Sequence, residues 1–258
     1  MSALFDVYNY DVKAVYGGGD LAPYEPTVDE ENTEVIIEGC NITSIKQVYG
    51  GGNAAYAPAT NVLVKSAYVI GELFGGGNGL DNYVKDGNWY ENPGANVGYK
   101  QLAYYDTSGS HGTGYDEANK YTAITYTDPD ATTKAGRIAN YSIGTGVAST
   151  TVNGGFVHSV YGGSNKKGNI RREALLTVQQ VGTCTLIIDK TYAGSKEAPI
   201  DAETNTVLDC VRNGGEFYGG SQNADIFNDV HVRITNGHYT KVFGGNEKAG
   251  TITGSITS

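Results

Sequence analysis

Short segments in which apolar and polar residues alternate recur along this chain. Four of them are Val35–Ile37, Val62–Val64, Leu186–Ile188 and Val230–Ile234. A period of two is typical of strands with one buried face, and no segment carries the 3.6-residue period of an amphipathic helix. The pattern therefore predicts an all-β protein made of short strands. The abundance of Gly (37 residues) and Tyr (20 residues) favours the same class, since glycine suits turns and tyrosine suits strands.

One phrase returns between these segments: an apolar residue, an aromatic residue, a run of glycines and then Asn or Asp. Residues 15–20 read Val-Tyr-Gly-Gly-Gly-Asp, and close copies occupy 48–53 and 73–78. Aligned copies centre on Tyr16, Tyr49, Phe74, Tyr161, Tyr218 and Phe243, with a weaker copy at Tyr192. The shortest separation between aromatic residues is 25 residues and occurs twice, from 49 to 74 and from 218 to 243.

A self-similar period of 20–50 residues indicates a solenoid, a propeller or another array. A propeller blade needs about 40 residues, so a 25-residue unit is too short for one. Each unit reads as strand, Asn-Gly turn, short strand, Gly-Gly-Asn turn and short strand. This order predicts a parallel β-helix, or β-solenoid, with about 25 residues per coil, three parallel sheets and about seven or eight coils.

Successive coils of a β-helix lie about 4.8 Å apart, so equivalent side chains stack into columns. We expect the apolar residues of the phrase to share one face and the aromatic residues after them to share the opposite face. The glycine pair is expected at a sharp turn with positive φ. The Asn or Asp that follows is expected to bond from coil to coil. The apolar set is Val15, Val48, Leu73, Val160, Phe217 and Val242.

Charge and composition exclude several classes of function. The net charge is −10 and no basic stripe is present, which argues against nucleic-acid binding. No apolar run approaches the ~18 residues of a membrane span, and the first residues do not form a signal peptide. The three cysteines, Cys40, Cys184 and Cys210, lack metal-ligand spacing and are interpreted as small core residues rather than as a disulfide framework.

The units [Val/Leu]-[Tyr/Phe]-Gly-Gly-Gly-Asn, with short strands and Asn-Gly turns between them, resemble the glycine-rich repeats of bacterial surface proteins, especially those of gut anaerobes. Such proteins are similar to adhesins built on a right-handed, pectin-lyase-like β-helix. The resemblance covers residues 10–78 and about 140–258. It implies an extracellular or cell-surface location and an adhesin-like function, although the sequence shows neither signal nor anchor. Residues 1–258 are interpreted as one solenoid domain of a longer chain.

A long insertion interrupts the repeats at residues 79–140, because 87 residues separate Phe74 from Tyr161. It contains eight tyrosines and the single tryptophan, Trp89. Insertions in solenoids map to loops that often form the binding face. The aromatic residues either cover the flank of the solenoid or form a platform for a glycan or a host surface protein. For a glycan, the expected stacking residues are Trp89, Tyr90, Tyr104 and Tyr105, with Asp106 or Asp81 as polar partner.

Candidate chemistry is sparse. Residues 76–84 fit the calcium nonapeptide Gly-Gly-x-Gly-x-Asp-x-U-x once, with Asp81 as the ligand, but such sites need tandem copies. A glycoside hydrolase needs two carboxylates, and the nearest pair, Asp128 and Asp130, lies in a turn-like loop. No catalytic residue is therefore expected. Three hypotheses remain: a non-enzymatic surface protein with a binding face, a carbohydrate-active β-helix enzyme, and a structural spacer or stalk.

Overall fold

The computed structural model describes residues 10–28, 31–80, 83–85, 88–90, 94–105, 125–126 and 136–258. These residues form a parallel β-solenoid of about six turns, roughly 27 residues apart. The predicted fold class is confirmed, and the period differs only slightly from the predicted 25. All secondary-structure elements in the described residues are strands, and none is a helix. No helix long enough and apolar enough to cross a membrane occurs in this part of the chain.

Two seven-stranded parallel sheets form two sides of the solenoid. Sheet 1 runs in the order β1-β3-β5-β12-β14-β16-β18, and sheet 2 in the order β19-β17-β15-β13-β11-β4-β2. The strands of sheet 1 are β1 (Val12–Tyr16), β3 (Ser44–Tyr49), β5 (Val69–Phe74), β12 (Gly155–Tyr161), β14 (Leu186–Tyr192), β16 (Glu216–Tyr218) and β18 (Lys241–Phe243). Those of sheet 2 are β2 (Thr33–Ile37), β4 (Thr60–Val64), β11 (Val147–Val152), β13 (Glu173–Gln179), β15 (Glu203–Asp209), β17 (Val230–Ile234) and β19 (Ile256–Thr257).

The third side is not a sheet. It is a row of isolated parallel bridges, which join Ala57 to Val97, Val97 to Ile170, Ile200 to Ile226 and Ile226 to Ile252. The prediction of three sheets is wrong, because the turns pair on this side through isolated bridges and not through strands. The number of turns is about six, where seven or eight coils were predicted.

The core lies between the two sheets and is filled by the inward residues of the alternating segments. In sheet 1, Val48 pairs with Leu73, and Leu73 pairs with Val160. All three side chains are fully buried in one apolar cluster that also contains Phe217. The period-two pattern therefore specified which residues face inward, because a shift of one residue would expose the whole set.

The glycine pairs of the repeated phrase are required for a different reason from the predicted positive φ. None of them has positive φ; instead, consecutive turns approach so closely that a side chain does not fit. A Cβ added to Gly50 would lie 2.2 Å from the carbonyl oxygen of Gly75, and one added to Gly75 would lie 2.3 Å from that of Gly162. Positive φ occurs at the Asn-Gly corners between the sheets, at Gly155 and Gly215 among others. There glycine is required because the left-handed region is costly for other residues.

The insertion is two excursions from one turn. Residues 94–98 return to the solenoid between them, and Val97 takes its place in the bridge row. The first excursion contains β6 (Tyr83–Lys85) and β7 (Asn88–Tyr90), which pair antiparallel, and β7 also pairs with β9 (Thr125–Tyr126). The second begins with β8 (Tyr99–Tyr105) and ends with β10 (Gly136–Ser142), which form an antiparallel ribbon. A single insertion at 79–140 was predicted. Residues 94–98 lie within that range but belong to the solenoid.

Both excursions leave and re-enter the stack at glycines in the left-handed region. Gly79 and Gly94 have φ of 71° and 81°, and both lie against Lys167. Gly98 and Gly146 have φ of 81° and 70°, and a Cβ on Gly98 would lie 2.3 Å from the Cα of Gly146. Each pair of glycines lets the chain depart and return almost at one point, so the turns on either side remain stacked.

Candidate functional site

The aromatic residues of the repeated phrase form one continuous stack, here called the aromatic column. Neighbouring ring centroids are 4.7–5.2 Å apart, and the interplanar angles are at most 13°. The rings pack with one another in a cluster separate from the main core, as expected from strand alternation. The weaker copy of the repeat is part of it, since Tyr192 pairs in register with Tyr161. The members are Tyr16, Tyr49, Phe74, Tyr161, Tyr192, Tyr218 and Phe243.

A second column, four residues after each aromatic residue, covers the hydroxyl ends of the rings. The amide of Asn53 donates to Asp20, that of Asn78 donates to Asn53, and that of Asn165 donates to Asn78, at 2.7–2.8 Å. Asn165 also donates to the Tyr49 hydroxyl at 3.1 Å. The predicted coil-to-coil bonding of these residues is confirmed. We call Asp20, Asn53, Asn78, Asn165, Lys196, Gln222 and Glu247 the polar column.

Toward the C-terminal turns the polar column becomes charged and joins a row of lysines and glutamates on sheet 1. Lys190 lies between two carboxylates and forms ion pairs with Glu247 and Glu216. Lys241 binds the other side of Glu216 at 2.7 Å. The Tyr192 hydroxyl donates to Glu247 at 2.7 Å, and Gln222 donates to the same carboxylate at 3.1 Å. Four charges of alternating sign thus connect three neighbouring turns.

These contacts determine the protonation of the cluster. Hydrogen bonds from Lys241 and Tyr218 hold the pKa of Glu216 below its ordinary value. Partial burial alone would raise the pKa of Glu247, but bonds from Lys190, Tyr192 and Gln222 together lower it. Burial and then the Glu216 carboxylate raise the pKa of Tyr218 to about 12. Burial also raises the pKa of Tyr49 and Tyr161. Near neutral pH the cluster consists of ionised carboxylates, lysines and neutral phenols.

The cysteines contradict their sequence-based interpretation. Cys40 and Cys184 form a disulfide with a Cα–Cα distance of 5.8 Å, although 144 positions separate them. Cys40 lies in the corner after β2 and Cys184 in the corner before β14, so both lie on the edge between the two sheets. Spacing in sequence gave no sign of this pair, because it depends on how corners of non-adjacent turns fold. Cys210 is an exposed free thiol, and the neighbouring Asp209 raises its pKa.

The residues predicted to bind a ligand are only partly placed. Trp89 and Tyr90 lie in β7, where Trp89 pairs with Val84 and Tyr126, and Tyr90 pairs with Tyr83. Tyr104 and Tyr105 lie in β8, opposite Arg137 and Gly136. The two groups belong to different antiparallel sheets. Asp81 and Asp106 lie outside the described residues, so the binding and calcium assignments stay predictions. Within the described part of the chain, no group of three or more His, Cys, Asp or Glu side chains is arranged to hold a metal ion.

Comparison of the chain with protein-family models, with curated proteins and with solved structures gave no match. The likeness to bacterial surface repeats therefore rests on the repeated phrase and on the fold. The charged row on sheet 1 was missed at the sequence level. Its signal was present two residues before the aromatic residue, in Lys190-Thr-Tyr, Glu216-Phe-Tyr and Lys241-Val-Phe.

Proposed function

We propose that this chain is a non-enzymatic, extracellular or cell-surface β-solenoid whose ligand contact runs through the two excursions between β5 and β11. The ligand class proposed is a surface glycan, with a host surface protein as the other possibility. The observation that carries this proposal is the position of the excursions. Among the described residues, a uniform stack of parallel turns is interrupted in one turn only, and there by antiparallel elements.

The form of the excursions supports a binding role. A regular solenoid flank repeats the same short side chains from turn to turn, so specific recognition needs an irregular feature. The glycine pairs at 79 and 94 and at 98 and 146 let the excursions project while the stacked turns stay in register. Loops presented by a rigid framework are a common arrangement for recognition. The sequence of this part is also rich in tyrosine and contains Trp89, residue types that offer flat apolar faces with polar tips.

The disulfide supports the location. Disulfides persist in oxidising environments and are rare in the reducing cytosol of mesophiles. A bond between Cys40 and Cys184 fits a protein that folds outside the cytoplasm, which agrees with the likeness to bacterial surface repeats.

Two carboxylates of the described flank, Glu216 and Glu247, do not suit the acid role of a glycoside hydrolase. A glycoside hydrolase needs one carboxylic acid that stays protonated, which requires a raised pKa. Glu216 and Glu247 have lowered pKa values, and both are held by lysines. These ion pairs also make a spacer the second candidate, because they connect neighbouring turns of the stack.

The test is a glycan array probed with the intact chain and with two excision variants. In the first variant, residues 80–93 are removed and Gly79 is joined to Gly94. In the second, residues 102–139 are replaced by Asn-Gly, since Gln101 and Asn140 are paired and a two-residue turn can connect them. We expect specific glycan binding by the intact chain and its loss in at least one variant.

A control variant should alter the flank instead. Glu216→Gln together with Lys241→Gln removes an ion pair from sheet 1 and leaves both excursions unchanged. Binding by this control should equal that of the intact chain. If the intact chain binds no glycan and no host-cell surface, or if both excision variants bind as well as it does, the spacer role replaces the binding role.

A further inference from the structure

The second excursion leaves the solenoid through a neck that contains three glycines in the left-handed region. Gly98 precedes β8, and Gly144 and Gly146 follow β10, with φ of 81°, 53° and 70°. A backbone bond from the amide of Ile143 to the carbonyl of Gly98, at 3.0 Å, closes the neck. Because glycine restricts the backbone least, such a neck is free to pivot unless the neighbouring turns hold it.

The side chain of Arg171, in the next turn, lies across this neck. A Cβ added to Gly98 would lie 3.1 Å from its Nε, and one added to Gly146 would lie 2.8 Å from the same atom. The arginine therefore occupies the space that side chains at these two positions would need. Its Nη2 also donates to the carbonyl oxygen of Gly144 at 2.6 Å. One side chain thus lies against all three glycines of the neck.

The backbone fixes the point from which this side chain starts. The amide of Arg171 donates to the carbonyl of Val97, and the amide of Arg172 donates to that of Gly146, both at 3.0 Å. Val97 is fully buried and comes directly before the neck, and Gly146 ends the neck. Arg171 is therefore attached to the stack on both sides of the neck that its side chain crosses.

A second contact holds the first strand of the ribbon that β8 and β10 form. The hydroxyl of Tyr99, the first residue of β8, donates to the Asp201 carboxylate, and burial and then this carboxylate raise the pKa of Tyr99. The amide of Asp201 donates to the side-chain oxygen of Asn169, and the amide of Asn169 donates to that of Asn96, both at 2.8 Å. These bonds connect the ribbon to three consecutive turns.

We propose that Arg171 and Asp201 are positioning residues, which lock the glycine neck and hold the β8–β10 ribbon in one orientation relative to the solenoid. This inference rests on the proposed function, because it concerns how the second excursion is presented to a ligand. A segment that is already oriented loses less conformational freedom on binding. The lock therefore increases affinity without any contact between these two residues and the ligand.

The orientation of the ribbon can be measured without a ligand, as the distance between two spin labels. One label is attached to Cys210, the exposed free thiol, and the other to an introduced cysteine, Gln101→Cys, in β8. Cys40 and Cys184 take no label because they are bonded to each other. Double electron–electron resonance should give one narrow distance distribution in this parent chain.

The variant that should release the neck is Arg171→Ala. Its distance distribution should be much broader than that of the parent, because the neck can then pivot at its glycines. Arg172→Ala is the matched control, since it removes an exposed arginine side chain from the adjacent position, and its distribution should stay narrow. Circular dichroism and the melting temperature verify that each variant is folded.

A milder pair of variants keeps the test valid if the loss of Arg171 disturbs the turn. Tyr99→Phe removes only the hydroxyl that donates to Asp201, and should broaden the distribution less than Arg171→Ala does. Tyr68→Phe makes the same chemical change at a 51% exposed tyrosine between the two sheets and should have no effect. A narrow distribution in both Arg171→Ala and Tyr99→Phe, or a broad one in the parent, overturns the lock.

The consequence for binding is tested on the glycans that the intact chain binds. Arg171→Ala should lower the affinity about tenfold, because the loss of a hydrogen bond from a charged group reduces the oriented population by about that factor. Arg172→Ala should bind as the intact chain does. A broadened distribution with unchanged affinity overturns the positioning role. If the intact chain binds no glycan, the proposed function fails, and the distance distributions still decide whether the ribbon is locked.

Discussion

Cys40 and Cys184 are bonded across two intervening turns of the solenoid. Their strands, β2 and β13, are separated in sheet 2 by β4 and β11. The disulfide therefore joins turns that share no backbone hydrogen bonds, and it acts on the corner between the sheets rather than on the sheets themselves. It also encloses the turn from which both excursions leave.

Removing this disulfide should destabilise the fold. Cys40→Ser should lower the free energy of unfolding by about 4–5 kcal/mol, because the bond closes a very long loop in the unfolded chain. The measurement is urea unfolding without reductant. Cys210→Ser, at the exposed free thiol, is the control and should change stability by about 0.5 kcal/mol or less. Three titratable thiols in the unreduced native protein would contradict the pairing.

The aromatic column should be a major source of stability. Phe74→Ala removes a fully buried ring stacked between Tyr49 and Tyr161, and the expected loss is about 3–5 kcal/mol. Phe227→Ala, at an exposed phenylalanine, makes the same chemical change and should cost far less. Denaturant unfolding of both variants tests this; equal losses would mean that stacking in the column contributes little.

The ion pairs at Glu216 and Glu247 predict the response to acid. Both carboxylates have pKa values below their ordinary value of 4.5, so they bind protons more weakly in the folded state than in the unfolded state. Their contribution to stability is present above about pH 4.5 and is lost as the pH falls through the folded pKa values. The melting temperature should therefore decrease as the pH is lowered from neutral through this range. Glu247→Gln should flatten that decrease, and an unchanged slope would show that its pKa is not lowered.

The phenols predict the response to alkali. Tyr218 has a pKa of about 12 in the folded state against 10.0 for an ordinary tyrosine. A raised pKa gives stability that is present below pH 10 and is lost as the pH rises toward 12. Ultraviolet titration of phenolate should show Tyr218 ionising about two units above an exposed tyrosine, and Tyr218→Phe should remove that step. Ionisation of all tyrosines near pH 10 without unfolding would contradict the burial of the column.

Residues 94–98 should be needed for folding, whereas the excursions around them should not. Removing 80–93 and replacing 102–139 by Asn-Gly, separately or together, should leave cooperative unfolding and the β-sheet circular dichroism unchanged in form. Deleting all of 79–140 should be clearly more destabilising, because it also removes the buried Val97 from between Ala57 and Ile170. Equal stability of the two designs would mean that Val97 contributes nothing to the bridge row.

Much of the fold followed from local pattern. Alternation in segments such as Val62–Val64 identified the inward residues, because a strand offers only two faces. The repeated phrase gave the register, since Tyr49, Phe74 and Tyr161 align only if equivalent positions stack. Coil-to-coil bonding by Asn53 and Asn78 followed from the same stacking.

Only the tertiary structure decided which residues far apart in sequence lie next to each other. The partner of Cys40 depends on how the corners of non-adjacent turns fold, and no spacing rule encodes that. The return of Val97 to the stack depends on its neighbours Ala57 and Ile170, which only the assembled turns bring to one side. The repeated phrase showed that glycine is needed at positions 50 and 75, but it did not show why. A side chain at either position would collide with a carbonyl oxygen of the next turn, and that contact exists only once the turns are stacked.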